Sequence, residues 1–246
     1  TPVLITSVSM ATYGGINSIV AKNGVVAAAV ENINPQLNGS VVFFDQNGVF
    51  QNQVSVGAMP DMITFNQNNT KLLTANEGEP NATYSVDPEG SVSVIDISGG
   101  IAALTQANVT TIPLTQFNGQ EVALRAQGIR IFTSSASVAQ DLEPEYIAIS
   151  SDNSKAYVTL QENNALLTID LLTNTIVSLT PFGYSSYAAG SNNALDASDQ
   201  SGMVLITGDL PIKGAYMPDA MTYKTINGQG YLFTANEGDS REFGSV

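Results

Sequence analysis

From Ile16 onward the chain reads as short runs of alternating or β-branched apolar residues separated by small polar turns. Ile16 to Val20 and Gly24 to Val30 predict two strands joined at Lys22-Asn23-Gly24, since Asn-Gly accepts the positive φ that a tight hairpin requires. Gly39 to Asp45 and Val49 to Val56 repeat the arrangement around a second Asn-Gly turn at 47-48. Four short strands in about 40 residues is the size of one propeller blade. A second unit has strands at 63-65, 71-75, 91-97 and 109-114, and a polar excursion from Glu77 to Gly90 breaks into it. A third has strands at 146-149, 155-160, 165-170 and 176-179. Between the units, 120-127 predicts a short helix, 129-132 a brief strand, and 133-137 a polar linker.

The units share a phrase. Met59-Pro60-Asp61 opens a strand, and the next strand ends in Thr74-Ala75-Asn76-Glu77-Gly78-Glu79. The same order returns as Met217-Pro218-Asp219 and Thr234-Ala235-Asn236-Glu237-Gly238-Asp239, with a looser copy at Glu143-Pro144-Glu145 and Gln161-Glu162-Asn163. The expected fold is therefore all-β, a propeller of four-stranded antiparallel blades, about four of them with the last incomplete. The approximate units are 16-57, 58-116, 143-180 and 203-246, with irregular insertions at 117-142 and 181-202. By analogy with Gly90-Ser91-Val92, Gly244-Ser245-Val246 opens a third strand of the last unit, so the chain reads as the N-terminal part of a larger propeller.

Composition narrows the chemistry. With 12% charged and 43% hydrophobic residues, 246 residues suffice for a substantial core and disorder is not expected. Twenty-two acids against eight bases give a net charge of −14, which argues against nucleic acid and for cations as partners. Cys and His are both absent, removing thiol nucleophiles, disulfides, zinc sites built on those ligands and any Ser-His-Asp triad. Any metal must be held by oxygen, which favours calcium or magnesium; no haem, nucleotide or zinc is expected. No apolar run approaches the ~18 residues of a membrane span, so no membrane insertion is expected. Thr1-Pro2, without Met or a signal-peptide pattern, reads as a processed mature terminus of an exported protein.

The candidate metal ligands are the acidic corners and their neighbours: Glu77, Glu79, Asp87, Glu89, Glu143, Glu145, Glu162, Glu237 and Asp239. Equivalent corners of successive blades gather around a propeller axis, where converging carboxylates repel unless a cation joins them. The competing reading is turn chemistry, in which Asp, Asn and Glu accept backbone N–H bonds. Asp61 and Asp219 read as turn-fixing residues. Arg130 and Arg241 each lie near an acidic motif and are candidates for structural ion pairs or for an anion clamp.

The phrases at 59-97, 141-170 and 217-242, notably Thr159-Leu160-Gln161-Glu162-Asn163-Asn164-Ala165 and Thr234 to Glu242, resemble the choice-of-anchor I family. That resemblance implies a secreted or surface-anchored β-propeller, similar to mesenchyme-specific cell-surface glycoproteins. It leaves two functions open. One is a non-catalytic extracellular calcium-binding propeller acting in surface matrix, adhesion or assembly, with surface or matrix proteins or its own copies as partners. The other is a metal-dependent phosphoester hydrolase, since some members of the family are described as atypical alkaline phosphatases. No nucleophile motif or imidazole supports the second, and no catalytic residue is assigned.

Overall fold

The strands Ile16–Lys22 (β1), Val25–Val30 (β2), Asn38–Asp45 (β3) and Phe50–Ala58 (β4) form one antiparallel sheet in that order. They belong to a computed structural model that describes residues 3–4, 6–132, 135–198 and 200–238. Pro60–Phe65 (β5), Lys71–Asn76 (β6), Ser91–Asp96 (β7) and Val109–Pro113 (β8) form the second sheet. Two short helices follow, Glu121–Gln127 (α1) and Val138–Asp141 (α2). The third sheet contains Ile147–Ile149 (β9), Lys155–Leu160 (β10), Ala165–Asp170 (β11) and Thr175–Pro181 (β12). Tyr184–Ser186 (β13) then pairs with Lys213–Ala215 (β14), and Pro218–Ile226 (β15) with Gln229–Asn236 (β16).

The first strands of the successive sheets, β1, β5, β9 and β15, pack side by side in that order, as innermost strands around a propeller axis do. The fold is an all-β propeller of four-stranded antiparallel blades; among the described residues the fourth blade shows two strands. Turn chemistry sets the hairpins. Asn23 and Gly24 take φ of 52° and 80°, and Asn227 and Gly228 take 51° and 78°, as a two-residue turn with both positions left-handed requires.

Both faces of a blade are covered, which explains why β6 and β7 read as nearly continuous apolar runs. Leu72, Ile95 and Ile97 pack toward the first blade against Ala27, Ala29, Val41, Phe43 and Val56. Leu73, Ala75, Val92 and Val94 face the third blade, against Val158, Leu160, Leu167 and Ile169. Leu124, Ile129, Val138 and Leu142 join that second cluster, so the insertion between blades two and three is part of the core.

Three expectations change. The strand expected at 129-132 does not form: Arg130 N–H donates to Asn163 O at 2.8 Å and Phe132 N–H to the Asp141 carboxylate at 3.0 Å, so the backbone is held by a loop and a side chain. A second helix, α2, was not expected, although Ser137 and Gln140 cap it reciprocally (Gln140 N–H to Ser137 Oγ at 3.3 Å, Ser137 N–H to Gln140 Oε1 at 2.8 Å). The stretch 181-202 is not wholly irregular, since β13 pairs across a long excursion with β14.

Candidate metal centre

The repeated phrase builds one device twice. Met59 and Met217 stand just before proline in the left-handed region, at φ of 47° and 42°. A residue before proline ordinarily takes extended backbone, so both positions hold strain. Each methionine carbonyl accepts from the corner opposite, Glu77 N–H to Met59 O at 3.0 Å and Glu237 N–H to Met217 O at 3.3 Å. Immediately after, the β5–β6 register slips between Pro60 and Ile63, and the β15–β16 register between Pro218 and Met221. Such bulges re-aim a side chain, and here they fall on Asp61 and Asp219. The third blade places Glu145 differently: its N–H donates to Thr159 O at 2.9 Å, and Tyr146 N–H donates to Thr159 Oγ1 at 3.0 Å.

These elements bring Asp61, Glu77 and Glu145 together. One carboxylate oxygen from each lies within 4.8 Å of the others, and all three residues are half-buried. Burial, reinforced by the charges of Glu145, Asp61, Glu79 and Glu143, raises the Glu77 carboxyl to about 11. Burial, then Glu162, Asp61, Asp219 and Glu79, raises Glu145 to about 8. Asp61 is also raised, by burial first and then by Asp219 and Glu31; Asp219 is raised by burial and Glu237. Three oxygens this close, each with a cost to ionisation, suit a hard cation that takes six to eight oxygen ligands.

Acids at the opposite ends of the sheets behave in the opposite way. Asp96 pairs with Lys71, at the far end of β6 from Glu77, and Asp170 with Lys155, at the far end of β10 from Glu162. Asp45, Asp96, Asp152 and Asp170 accept hydrogen bonds from their own turns and are shifted down, Asp152 to about 2 chiefly through Ser150. Turn chemistry therefore accounts for one rim. It does not account for the other.

Of the sequence candidates, Glu77 and Glu145 form the centre with Asp61, and Glu79, Glu143 and Glu162 act on it electrostatically. Glu237 is exposed, accepts from Gln161 Nε2 at 3.1 Å and acts on Asp219. Glu89 points to solvent while its backbone packs against Gly78, and the Asp87 carbonyl accepts from Gln140 Nε2 at 2.6 Å. Asp239 and Arg241 lie outside the described residues. Arg130 sits 4.7 Å over the Phe132 ring and donates from Nη1 to Met217 Sδ at 2.8 Å.

Sequence reasoning treated Asp61 as a turn residue and passed over Glu31. A positional signal was available for Glu31. It directly follows β2, as Glu77 follows β6, Gln161 follows β10 and Glu237 follows β16. Asn163 and Asn164 in the third-blade copy are pegs. Both are fully buried; Asn163 Nδ2 donates to Arg130 O and Asp141 O at 2.9 Å each, and Asn164 receives Met217 N–H at 3.0 Å and donates to Gly183 O at 2.8 Å.

The family model for the choice-of-anchor I domain matches residues 1–245. The chain belongs to the choice-of-anchor I family. No curated protein matches it. Solved structures similar to this choice-of-anchor I domain include the β-propeller domain of Cps50 (Swd1) from Myceliophteria thermophila, at 10% identity over 68% of this chain and 44% of that one, with a TM-score of 0.41. The RRP9 WD40 repeats are 9% identical over 68% and 38%, with a TM-score of 0.41. KlHsv2 with one loop replaced by a Gly-Ser linker is 10% identical over 89% and 49%, with a TM-score of 0.45. The chain spans less than half the length of each. Among the described residues of this choice-of-anchor I domain, no helix is long and apolar enough to cross a membrane.

Proposed function

We propose that this choice-of-anchor I domain is a non-catalytic, extracellular calcium-binding propeller, serving a surface matrix, adhesion or assembly, and that Asp61, Glu77 and Glu145 are its cation ligands. The observation that carries the reading is the convergence of three carboxylate oxygens within 4.8 Å from two adjacent blades. The donors are all oxygen, the neighbouring charges on Glu77 are further carboxylates, and a calcium ion would relieve the repulsion that raises them. The family's name and the lack of Cys fit a cell-surface setting that does not depend on disulfides.

The test is a thermal melt in EDTA, in millimolar calcium and in millimolar magnesium. A ligand that binds only the folded state adds about 2.7 kcal/mol at a hundredfold excess over Kd. A calcium-specific rise that disappears in Glu77→Gln and Glu145→Gln is expected. Equal melts with and without either ion would overturn the reading.

A further inference from the structure

In the third blade a short turn at 161-164 joins β10 to β11, but in the second blade the whole stretch 77-90 stands between β6 and β7. The ladder closes beneath it, since Asn76 faces Ser91 in register. Beyond that pair the excursion has a neck and a knotted tip. In the tip, Asn81 Oδ1 accepts from Ser85 N–H at 2.9 Å and from Val86 N–H at 3.3 Å, and Asn81 N–H donates to Val86 O at 2.9 Å. Tyr84 and Val86 stand on this knot, 41% and 50% exposed.

Three stretches of chain meet at the neck. Gly78 takes a φ of 70°, and a Cβ on it would lie 2.7 Å from Glu89 C and 2.8 Å from Gly90 N. A Cβ on Gly90 would lie 3.1 Å from Glu77 O on one side and 2.8 Å from Pro144 Cδ on the other. The returning limb is tied to α2 by Gly90 N–H to Ala139 O at 2.9 Å and by Gln140 Nε2 to Asp87 O at 2.6 Å. Glu77 opens the neck, and Glu145 directly follows Pro144. Two of the three grouped carboxylates therefore flank it, one on each side.

We propose that the carboxylate centre controls the excursion. An ion shared by Glu77 and Glu145 ties the outgoing limb to the segment on which the returning limb packs, and so holds the 81-86 tip in place. Its loss frees the neck while the blades stay folded. The inference rests on the cation reading and adds what the ion regulates. Blades are held by continuous ladders, whereas the neck depends on a few bonds, and stretches held in that way open first. The coupling is reciprocal, so whatever steadies the tip also tightens the ion.

Hydrogen exchange read by mass spectrometry on the full 246-residue chain, in EDTA and in millimolar calcium, tests this. Calcium is expected to slow exchange across 78-90 about tenfold and to leave the opposite-rim turns at 66-70 and 170-174 unchanged. Glu145→Gln, shown to be folded by its melt in EDTA, should lose the slowing. Gln140→Ala removes the tie to Asp87 O without touching the carboxylate group, and should speed exchange across 78-90 about threefold in EDTA. A calcium-dependent rise in melting temperature with unchanged exchange at 78-90, or with equal slowing at the opposite-rim turns, would overturn the coupling and leave the cation reading standing. No rise and no slowing would remove both. Exchange at 78-90 indifferent to Gln140→Ala would also sink the proposal, because the neck would then be held elsewhere.

Discussion

Glu77 and Glu145 come from adjacent blades, 68 positions apart in number (145 less 77), yet a carboxylate oxygen of each lies within 4.8 Å of the other and of Asp61. The strained Met59-Pro60 elbow and the bulge after it hold Asp61 in this group. Strain and repulsion at one point both cost stability.

The first prediction concerns pH. Folded Glu77 keeps its proton up to about 11 and Glu145 up to about 8, whereas in the unfolded chain both lose it in the ordinary carboxylate range. The folded state then binds more protons than the unfolded one, so these groups contribute stability at low pH that is lost as pH rises through that window. In EDTA the domain should melt at a lower temperature at pH 8 than at pH 5.5. Each retained proton contributes a slope of up to about 1.4 kcal/mol per pH unit. Glu77→Gln should flatten the profile. A variant with the wild-type slope would show that Glu77 ionises normally.

Removing the charge should also separate stability from binding. In EDTA at pH 8, Glu77→Gln is expected to melt above the wild type, because a neutral amide replaces a carboxyl that burial and four carboxylates disfavour as an anion. The same variant should gain nothing from calcium. Glu89→Gln, exposed and outside the group, should match the wild type in both conditions. Melts of the three proteins side by side decide this.

Gly90 is where the excursion touches the chain that carries Glu143 and Glu145. A Cβ there would lie 2.0 Å from Leu142 O and 2.8 Å from Pro144 Cδ. Gly90→Ala must therefore push two backbones apart, and a loss of roughly 2–4 kcal/mol is expected in urea unfolding. A loss below about 0.5 kcal/mol, within the range of ordinary surface changes, would show that the contact yields freely.

Asn163 ties the third blade to the insertion before it. Asn163→Ala removes its amide's bonds to Arg130 O and Asp141 O and leaves buried carbonyls without a donor. The expected cost is roughly 2–4 kcal/mol, read from the shift in the urea midpoint at unchanged slope. Glu121→Gln on α1 serves as the control and should leave the midpoint in place.

The sequence by itself determined the blades. Period-two runs, Asn-Gly turns and a repeated phrase are local features, so an all-β propeller of four-stranded antiparallel blades was legible. It also determined the kind of chemistry, because a chain without His or Cys offers a metal only oxygen. Tertiary structure decided which acids meet. Asp61 reads as a turn residue until the bulge after Pro60 and the packing of β5 beside β9 bring it against Glu145. The antiparallel register puts Asp96 and Asp170 at the other end of their sheets, away from Glu77 and Glu162. The stretch 129-132 reads as a strand because its apolar residues do enter the core, but its backbone partners are Asn163 and Asp141, which only the closed fold supplies. Local pattern fixes strands through short-range sterics and burial, whereas convergence depends on register and blade packing between residues far apart in the chain.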